Sequence, residues 1–296
     1  MFISLVVVKM IRLSINVITS AVLLLHRLES YRFSSLTELA YTKISSINVE
    51  DLFDFSQNCG WVCVNENAPT LTLRGKGILN LHNQGLNNDL KRTMLMDYVL
   101  TVSPIWSNRI PYGRSEAAIF MTKDEKACFA EAGLLSDRLD SSVIEWWDAV
   151  ANKVRAKAQQ VQSDTGRIGE RNTIKYEQER TNSEPKWMSV ESNLAGYDVR
   201  SKISSDDHSA LLIEVKTSTS SLEQAYFHVT SHEWKVAQTS LAYVFHLWCL
   251  SGKKRLLAII SPEDIFPYIP TNNLSGEWES AKIPFLSFKS SFVEIA

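Results

Sequence analysis

Apolar residues fall at helical spacing at Ile15, Ile18, Val22 and Leu25, which predicts a helix over residues 15–28. A short helix is predicted over 35–40, where Ser35 and Glu38 stand three apart in the capping-box pattern. Another is predicted over 48–55 with Asn48 as its N-cap. Two brief extended runs follow, 60–64 and 70–74. The polar stretch 65–69 joins them as a turn, and Gly75-Lys76-Gly77 closes the second. Helices are predicted over 89–102, stopped before Pro104, and over 122–132, ended by Gly133. A longer one is predicted over 141–162, with Val143, Trp146, Trp147, Val150 and Val154 on one side. Beyond residue 165 the pattern changes. A helix over 166–180 leads into extended runs at 195–200, 210–216 and 225–230, then a helix over 231–240 and a strand over 242–250.

These elements divide the 296 residues into three regions without an internal repeat: 1–85, 86–165 and 166–296. Two domains of ordinary size fit that length. Three helices followed by a hairpin is the order of a winged helix-turn-helix domain, which the mostly α first region resembles in architecture. Its third helix carries Glu50, Asp51 and Asp54, poor chemistry for meeting phosphate. A role in target choice or protein contact is therefore expected there ahead of strong DNA affinity. The second region reads as a helical linker. Trp146 and Trp147 read as core packing, and Lys153, Arg155 and Lys157 make the end of its last helix basic. A solvated face is the default for such charges, and a DNA-backbone contact the sharper option.

The hydrophobic fraction of 45% and charged fraction of 22% are ordinary for a folded soluble protein. A net charge of −2 argues against gripping nucleic acid by the overall field, so phosphate contacts need a local patch or a partner. Cys59, Cys63, Cys128 and Cys249 form neither a disulfide framework nor a zinc-site spacing. They read as buried small hydrophobes of a cytoplasmic protein. The apolar N-terminal stretches 1–8 and 13–25 are interrupted by Lys9 and Arg12 and diluted by Asn16, Thr19 and Ser20. Neither a membrane span nor a signal peptide is expected there, and Met10 is an alternative start.

The chemistry lies in the third region. If Ala210-Leu-Leu-Ile-Glu-Val-Lys216 is a strand, Leu211, Ile213 and Val215 face one way and Leu212, Glu214 and Lys216 the other. Two charges on a face that a sheet normally covers are costly unless paired or bound to a metal. Ala195-Gly-Tyr-Asp-Val-Arg200 is a second short run, separated by the polar turn 204–209. A hairpin centred near 206 or 207 sets Asp198 opposite 214, 215 or 216. An even register then places it on the face of Glu214 and Lys216. Across a strand spacing of ~4.8 Å two carboxylates can share one small divalent cation at ~2.1 Å. A mutual ion pair, with Lys216 neutralising Asp198 and Glu214, satisfies the same charges without catalysis. Glu170 and Glu177, on the helix just upstream, stand seven apart and share a face. Thr230 and Glu233 form a capping box and read as structural. His228 and His232 straddle a strand end and a helix start, which disfavours a shared metal.

The order helix-strand-strand-strand-helix-strand with Asp…Glu-x-Lys resembles the PD-(D/E)XK nuclease superfamily. More narrowly, Gly169-Glu170, Tyr176-Glu177, Gly196-Tyr-Asp198, Ile213-Glu-Val-Lys216, Phe227-His-Val-Thr-Ser-His-Glu-Trp234 and Tyr243 resemble the protein NO VEIN C-terminal-type domain of bacterial restriction and antiphage proteins. The likeness covers residues 166–250. It implies an α/β domain with a central mixed sheet flanked by helices, and Mg²⁺-dependent DNA cleavage in which Mn²⁺ substitutes. It assigns Asp198 and Glu214 as metal ligands and Lys216 to the attacking water. It also implies a helix carboxylate near the metal, best matched by Glu170 and next by Glu177. Gln238 and Tyr243 resemble polar residues that some relatives carry behind the site. The first motif departs from the family pattern in lacking a proline before Asp198.

The expected activity is therefore that of a metal-dependent endodeoxyribonuclease, a restriction or antiphage effector. Its partners would be DNA, a second copy of the chain if both strands are cut, and a defence-system protein. The alternative is a nucleic-acid-binding or scaffolding protein whose nuclease fold is unused. The site addresses phosphate, so its residues suit DNA and RNA alike.

Overall fold

The computed structural model describes residues 11–137, 140–192, 194–272 and 276–295. The apolar stretch 1–8, Lys9 and the alternative start Met10 lie outside the described residues. The chain forms two compact units, Met1–Ala158 and Gln159–Ala296. Three regions were expected from the sequence. The first two merge because the helices after residue 85 share one core with those before it: Leu25, Phe53, Trp61, Met94, Phe129 and Trp147 belong to a single buried cluster.

The first unit opens with α1 (Ile15–Ser30), α2 (Leu36–Ala40) and α3 (Val49–Asn58), then β1 (Val62–Asn65) and β2 (Ala68–Leu71). Asn48 caps α3 by accepting from the N–H groups of Glu50 (2.8 Å) and Asp51 (3.1 Å). The hairpin turns at Glu66 and Asn67, both with positive φ (49° and 69°), as a two-residue turn that matches the strand twist requires. The three-helix-then-hairpin order is thus present. The glycines that were expected to close the second strand instead lie inside a helix, α4 (Leu73–Asn83), capped by Thr72. Gly75 sits where a Cβ would meet Trp61 O at 2.1 Å, so here glycine marks close packing and not a break.

Next come α5 (Asn87–Thr101), a 3₁₀ segment (Ile105–Tyr112), α6 (Arg114–Phe120), α7 (Lys123–Glu131) and α8 (Ser141–Thr181). Helix α8 runs unbroken for 41 residues where two helices were expected. Its two interior glycines, Gly166 and Gly169, cost only about 1 kcal/mol each against alanine, too little to stop a helix that holds no proline. Trp146 and Trp147 pack edge to face at 5.0 Å and donate to the carbonyls of Arg92 and Leu134, both at 3.0 Å. They are core residues. The basic end of this stretch stays exposed, but Arg155 and Lys157 are tied down by the chain's own oxygens. Lys157 Nζ donates to Leu100 O (2.9 Å) and Ser103 Oγ (2.7 Å), and Arg155 donates to Pro111 O (3.0 Å).

The second unit holds β3 (Lys186–Trp187), α9 (Met188–Glu191), β4 (Val199–Lys202), β5 (Ala210–Ser218), β6 (Tyr226–Thr230), α10 (Ser231–Thr239), β7 (Tyr243–Cys249), β8 (Leu256–Ile260), α11 (Pro262–Ile265), β9 (Ser280–Pro284) and β10 (Val293–Glu294). The central sheet has the order β10-β8-β7-β5-β4-β3 and is mixed: β5 and β7 run parallel, the other neighbours antiparallel. A parallel pair needs a crossover, which β6 and α10 supply. Strand β6 itself leaves the sheet and pairs with β9.

One sheet face carries Val199, Ile213, Val215 and Trp248 against Ile174 and Tyr176 of α8. Gly169 of α8 lies so close to Thr217 that an added Cβ would overlap its hydroxyl. On the other side Phe245 and Leu247 belong to one buried cluster with Trp234 and Ala237 of α10 and Phe227 and Val229 of β6. All four cysteines are free. No described helix is long and apolar enough to cross a membrane.

Candidate functional site

Strand alternation places Glu214 and Lys216 on the face of β5 away from Ile213 and Val215, and Glu214 is only 5% exposed. The β4–β5 hairpin pairs Val199 with Ile213 and Lys202 with Ala210, so it is centred at 206, as the sequence suggests. The register departs from expectation at its open end. Asp198 donates its N–H to Ile213 O at 2.9 Å, although Ile213 already faces Val199. Two successive residues thus address one, a slip of the β-bulge kind, and bulges re-aim side chains. The Asp198 carboxylate is turned into the ladder, where its Oδ2 accepts from the Val215 N–H at 2.9 Å.

The turn before Asp198 is pinned from two sides. Tyr243 donates its hydroxyl to Gly196 O at 2.8 Å. Gly196 has φ +73° and packs so tightly on Val236 of α10 that a Cβ would lie 2.6 Å from it. Asp198 O in turn accepts from the N–H groups of Met188 (2.7 Å) and Ser189 (3.1 Å).

Lys216 Nζ bridges two carboxylates, Glu214 Oε1 at 2.7 Å and Glu233 Oε2 at 3.0 Å. The capping box expected at α10 is present: Glu233 accepts from Thr230 N–H at 2.9 Å, and Thr230 Oγ1 accepts from Glu233 N–H at 3.2 Å. Its carboxylate also belongs to the site, which the sequence reading missed. The capping pattern explains Glu233 completely at the level of sequence, and only the fold brings it to Lys216.

Asp198, Glu214 and Glu233 line one cleft of about 250 Å³, together with Ser189, Ser192, Gly196, Tyr197, Thr230 and His232. Two larger grooves, about 460 and 650 Å³, lie around Trp234, Gln238 and Phe266. Each has one carboxylate in its lining, Glu277 or Glu263, so neither gathers comparable charge. Gln238 belongs to those grooves and does not line the cleft. His232 Nε2 lies 3.0 Å from Leu194 O, while His228 is exposed on β6 opposite Lys282.

The two helix carboxylates part company. Glu170 is buried and accepts from Trp187 Nε1, from Ser189 Oγ and from Arg167 Nη1 (2.8 Å). Ser189 is also a wall of the cleft, which brings Glu170 to its rim. Glu177 is about two helical turns further on. It is fully buried, held by Arg180 Nε (2.9 Å) and Nη2 (2.6 Å), with His246 Nε2 at 3.9 Å. The structure therefore brings Asp198, Glu214, Lys216, Glu233 and Glu170 together and leaves Glu177 in a separate buried pair.

Burial pushes the Asp198 carboxyl up to about 6; the Val215 N–H opposes this and nearby Glu170 adds to it. Burial likewise holds Glu214 well above the usual carboxylate range, with Lys216 opposing and Asp198 adding. For Lys216 burial pulls the pKa down, but Glu214 and Glu233 outweigh it and hold the ammonium above its ordinary value. Burial raises Glu233, and Lys216 with the Thr230 N–H more than reverses that. A lysine clamped in this way stays charged, so it can orient water and offset negative charge but not accept a proton.

Among the described residues no group of three His, Cys, Asp or Glu is placed to hold a metal ion. Mg²⁺ does not need one: it is commonly bound through one or two carboxylates plus water and substrate phosphates. Asp198 and Glu214 share a cleft, where Asp198 discourages ionisation of Glu214 and burial discourages that of both. A hard cation would relieve that conflict, so this donor set fits Mg²⁺ or Mn²⁺. The sign of the resulting pH effect is fixed. Between the ordinary 3.8 and about 6, folded Asp198 keeps a proton that the unfolded chain releases. Stability from this group therefore falls as pH rises through that window. Asp198→Asn should raise the melting temperature at pH 8 in EDTA, and the gain should vanish near pH 4. A gain that stays constant across that range would exclude ionisation as its cause.

Residues 169–259 match the family described as Protein NO VEIN, C-terminal. No curated protein and no solved structure gives a significant match. The segment similar to the Protein NO VEIN C-terminal family holds the residues that line the cleft, from Ser189 and Asp198 through Glu214 to Glu233, as well as Glu170 and Lys216, which are bonded to them.

Proposed function

We propose that the second unit is a metal-dependent phosphodiesterase that cuts DNA as an endonuclease, with the PD-(D/E)XK nuclease fold. The observation that carries this reading is the convergence of Asp198 and Glu214 on one cleft, with the Lys216 ammonium bonded to Glu214 and Glu233 of its wall. Asp198 and Glu214 would hold Mg²⁺ or Mn²⁺, with Glu170 at the rim. Bound there, the metal would neutralise charge on the phosphate and make water a better nucleophile. Lys216 would orient that water and offset the charge that builds on the phosphate oxygens. Glu233 would keep Lys216 in place. The helix, hairpin, crossover helix and parallel strand support the superfamily reading. The restriction or antiphage setting belongs to this proposal, as does a winged-helix-like role for residues 11–85 in choosing a target. A cut through both strands would call for two copies of the site, hence a homodimer, and a defence-system protein would supply the trigger.

The test is incubation with plasmid, linear duplex and RNA in Mg²⁺, Mn²⁺ or EDTA. Metal-dependent cutting is expected. Equal inertness of the wild type, Glu214→Ala and Lys216→Ala on every substrate would sink the proposal. A second reading, a nucleic-acid-binding or scaffolding protein with an unused site, is favoured by the Glu214–Lys216–Glu233 clamp, which balances charge without a metal. It predicts binding without cutting.

Glu233 permits a finer test. Gln still accepts from Thr230 N–H but removes a negative charge from Lys216. Glu233→Gln should lower kcat by about 10–100-fold, as loss of a supporting partner does, with little loss of stability. Thr230→Ala should do the opposite, costing about 1 kcal/mol of stability with kcat nearly kept. Losses of rate that merely follow the losses of stability would make Glu233 a cap alone.

A further inference from the structure

Around the cleft most basic groups are paired: Arg167 with Glu170, Arg180 with Glu177, and Lys216 with Glu214 and Glu233. Three are not. Lys186, Arg200 and Lys202 make no side-chain hydrogen bond or ion pair among the described residues. The sheet brings them together. Lys186 on the edge strand β3 is the register partner of Arg200 on β4, and Arg200 is the partner of Leu212 on β5. All three positions therefore project from one face, and alternation along β5 makes it the face of Glu214. Lys202 follows Arg200 on that face two residues on. Arg200 lies one strand spacing (~4.8 Å) across and two residues (~6.6 Å) along from Glu214. Lys186 and Arg200 are exposed, and Lys202 is half-buried.

We infer that this row is the track for the phosphodiester backbone flanking the bond held in the cleft. The inference rests on the proposed nuclease reading and deepens it by locating the substrate's path. A single phosphate would want convergent donors in an enclosed site. A row of unpaired cations spaced along an open sheet edge suits a polyanion that carries a charge every ~3.4 Å of each strand. The chain's net charge of −2 makes the grouping decisive, because the overall field cannot supply the attraction.

The test measures binding apart from cleavage, by fluorescence anisotropy in EDTA with a 20-base-pair DNA duplex and, separately, a 20-nucleotide RNA. Lys186→Glu with Arg200→Glu should weaken duplex binding at least about 10-fold at 0.1 M salt. It should also lower the slope of log affinity against log salt by about 2, or ~0.9 per lost phosphate contact. The control is Lys253→Glu with Lys254→Glu, the same charge change at exposed residues of the turn between β7 and β8; it should leave affinity within about 2-fold. Thermal melts confirm that both variants fold. The probe whose affinity falls more, DNA or RNA, is the polymer the track serves. No binding by the wild type, no loss on reversal, or an equal loss in the control would overturn the inference. Binding that depends on Lys186 and Arg200 without any cutting would fail the nuclease reading alone. Cutting with binding indifferent to these residues would fail the track alone.

Discussion

Glu214→Ala should lower Mg²⁺-dependent cutting by at least about 10²–10³-fold, the scale on which loss of one well-placed electrostatic group acts. Glu214 is a proposed ligand and also one of the two anchors of Lys216, so its removal strikes both. Lys216→Ala should cost a comparable factor by a different route. It leaves the metal donors in place and removes the ammonium that steadies the phosphate. Stability separates the two variants. In Glu214→Ala, Lys216 keeps Glu233 as a partner. In Lys216→Ala, Glu214 stays buried without its counter-charge, and breaking a buried pair commonly costs about 3–5 kcal/mol. The pKa of Glu214 is already raised, so it can take up a proton and the loss should fall at or below the low end. Single-turnover assays well below both melting temperatures check the rates. Wild-type rates in either variant would remove the residue from the mechanism.

Arg180→Ala should produce the largest loss of stability. Glu177 is fully buried, and Arg180 meets it with two bonds while also donating to Lys202 O and Ile203 O, both at 2.6 Å. Without Arg180 the nearest basic group is His246, and burial holds that imidazole at about 4, hence neutral. The expected cost is about 3–5 kcal/mol, a fall in the midpoint of this unit of roughly 10–15 °C. Arg180→Met combined with Glu177→Met should recover most of it, because well-packed apolar residues often replace a buried ion pair without loss. A cost below about 1 kcal/mol in the single variant would show that the pair is not structurally important.

The parity of Glu214 and Lys216 and the centre of the hairpin were legible because strand alternation and turn composition are local. The bulge at Asp198 was not. It depends on a turn anchored by Tyr243 and packed on Val236, both far along the chain. Glu170 and Glu177 look alike in sequence, and only their neighbours, Ser189 for one and Arg180 for the other, tell them apart. The pairing of β6 with β9 joins segments about fifty residues apart, beyond any local pattern. Gly75 and Gly77 read as breakers because their composition is that of a turn, whereas packing on Trp61 selects glycine at position 75 within a helix.

Glu233 Oε2 accepts at once from the Thr230 N–H and from Lys216 Nζ. One oxygen thus answers to two kinds of selection, for a folded helix end and for a charged cleft. Gln satisfies the first without the second. Among descendants of this chain, a Gln at 233 beside an intact Thr230 would mark a lineage that kept the architecture after giving up the chemistry. Loss of both residues would mark one in which the helix end itself had been rebuilt.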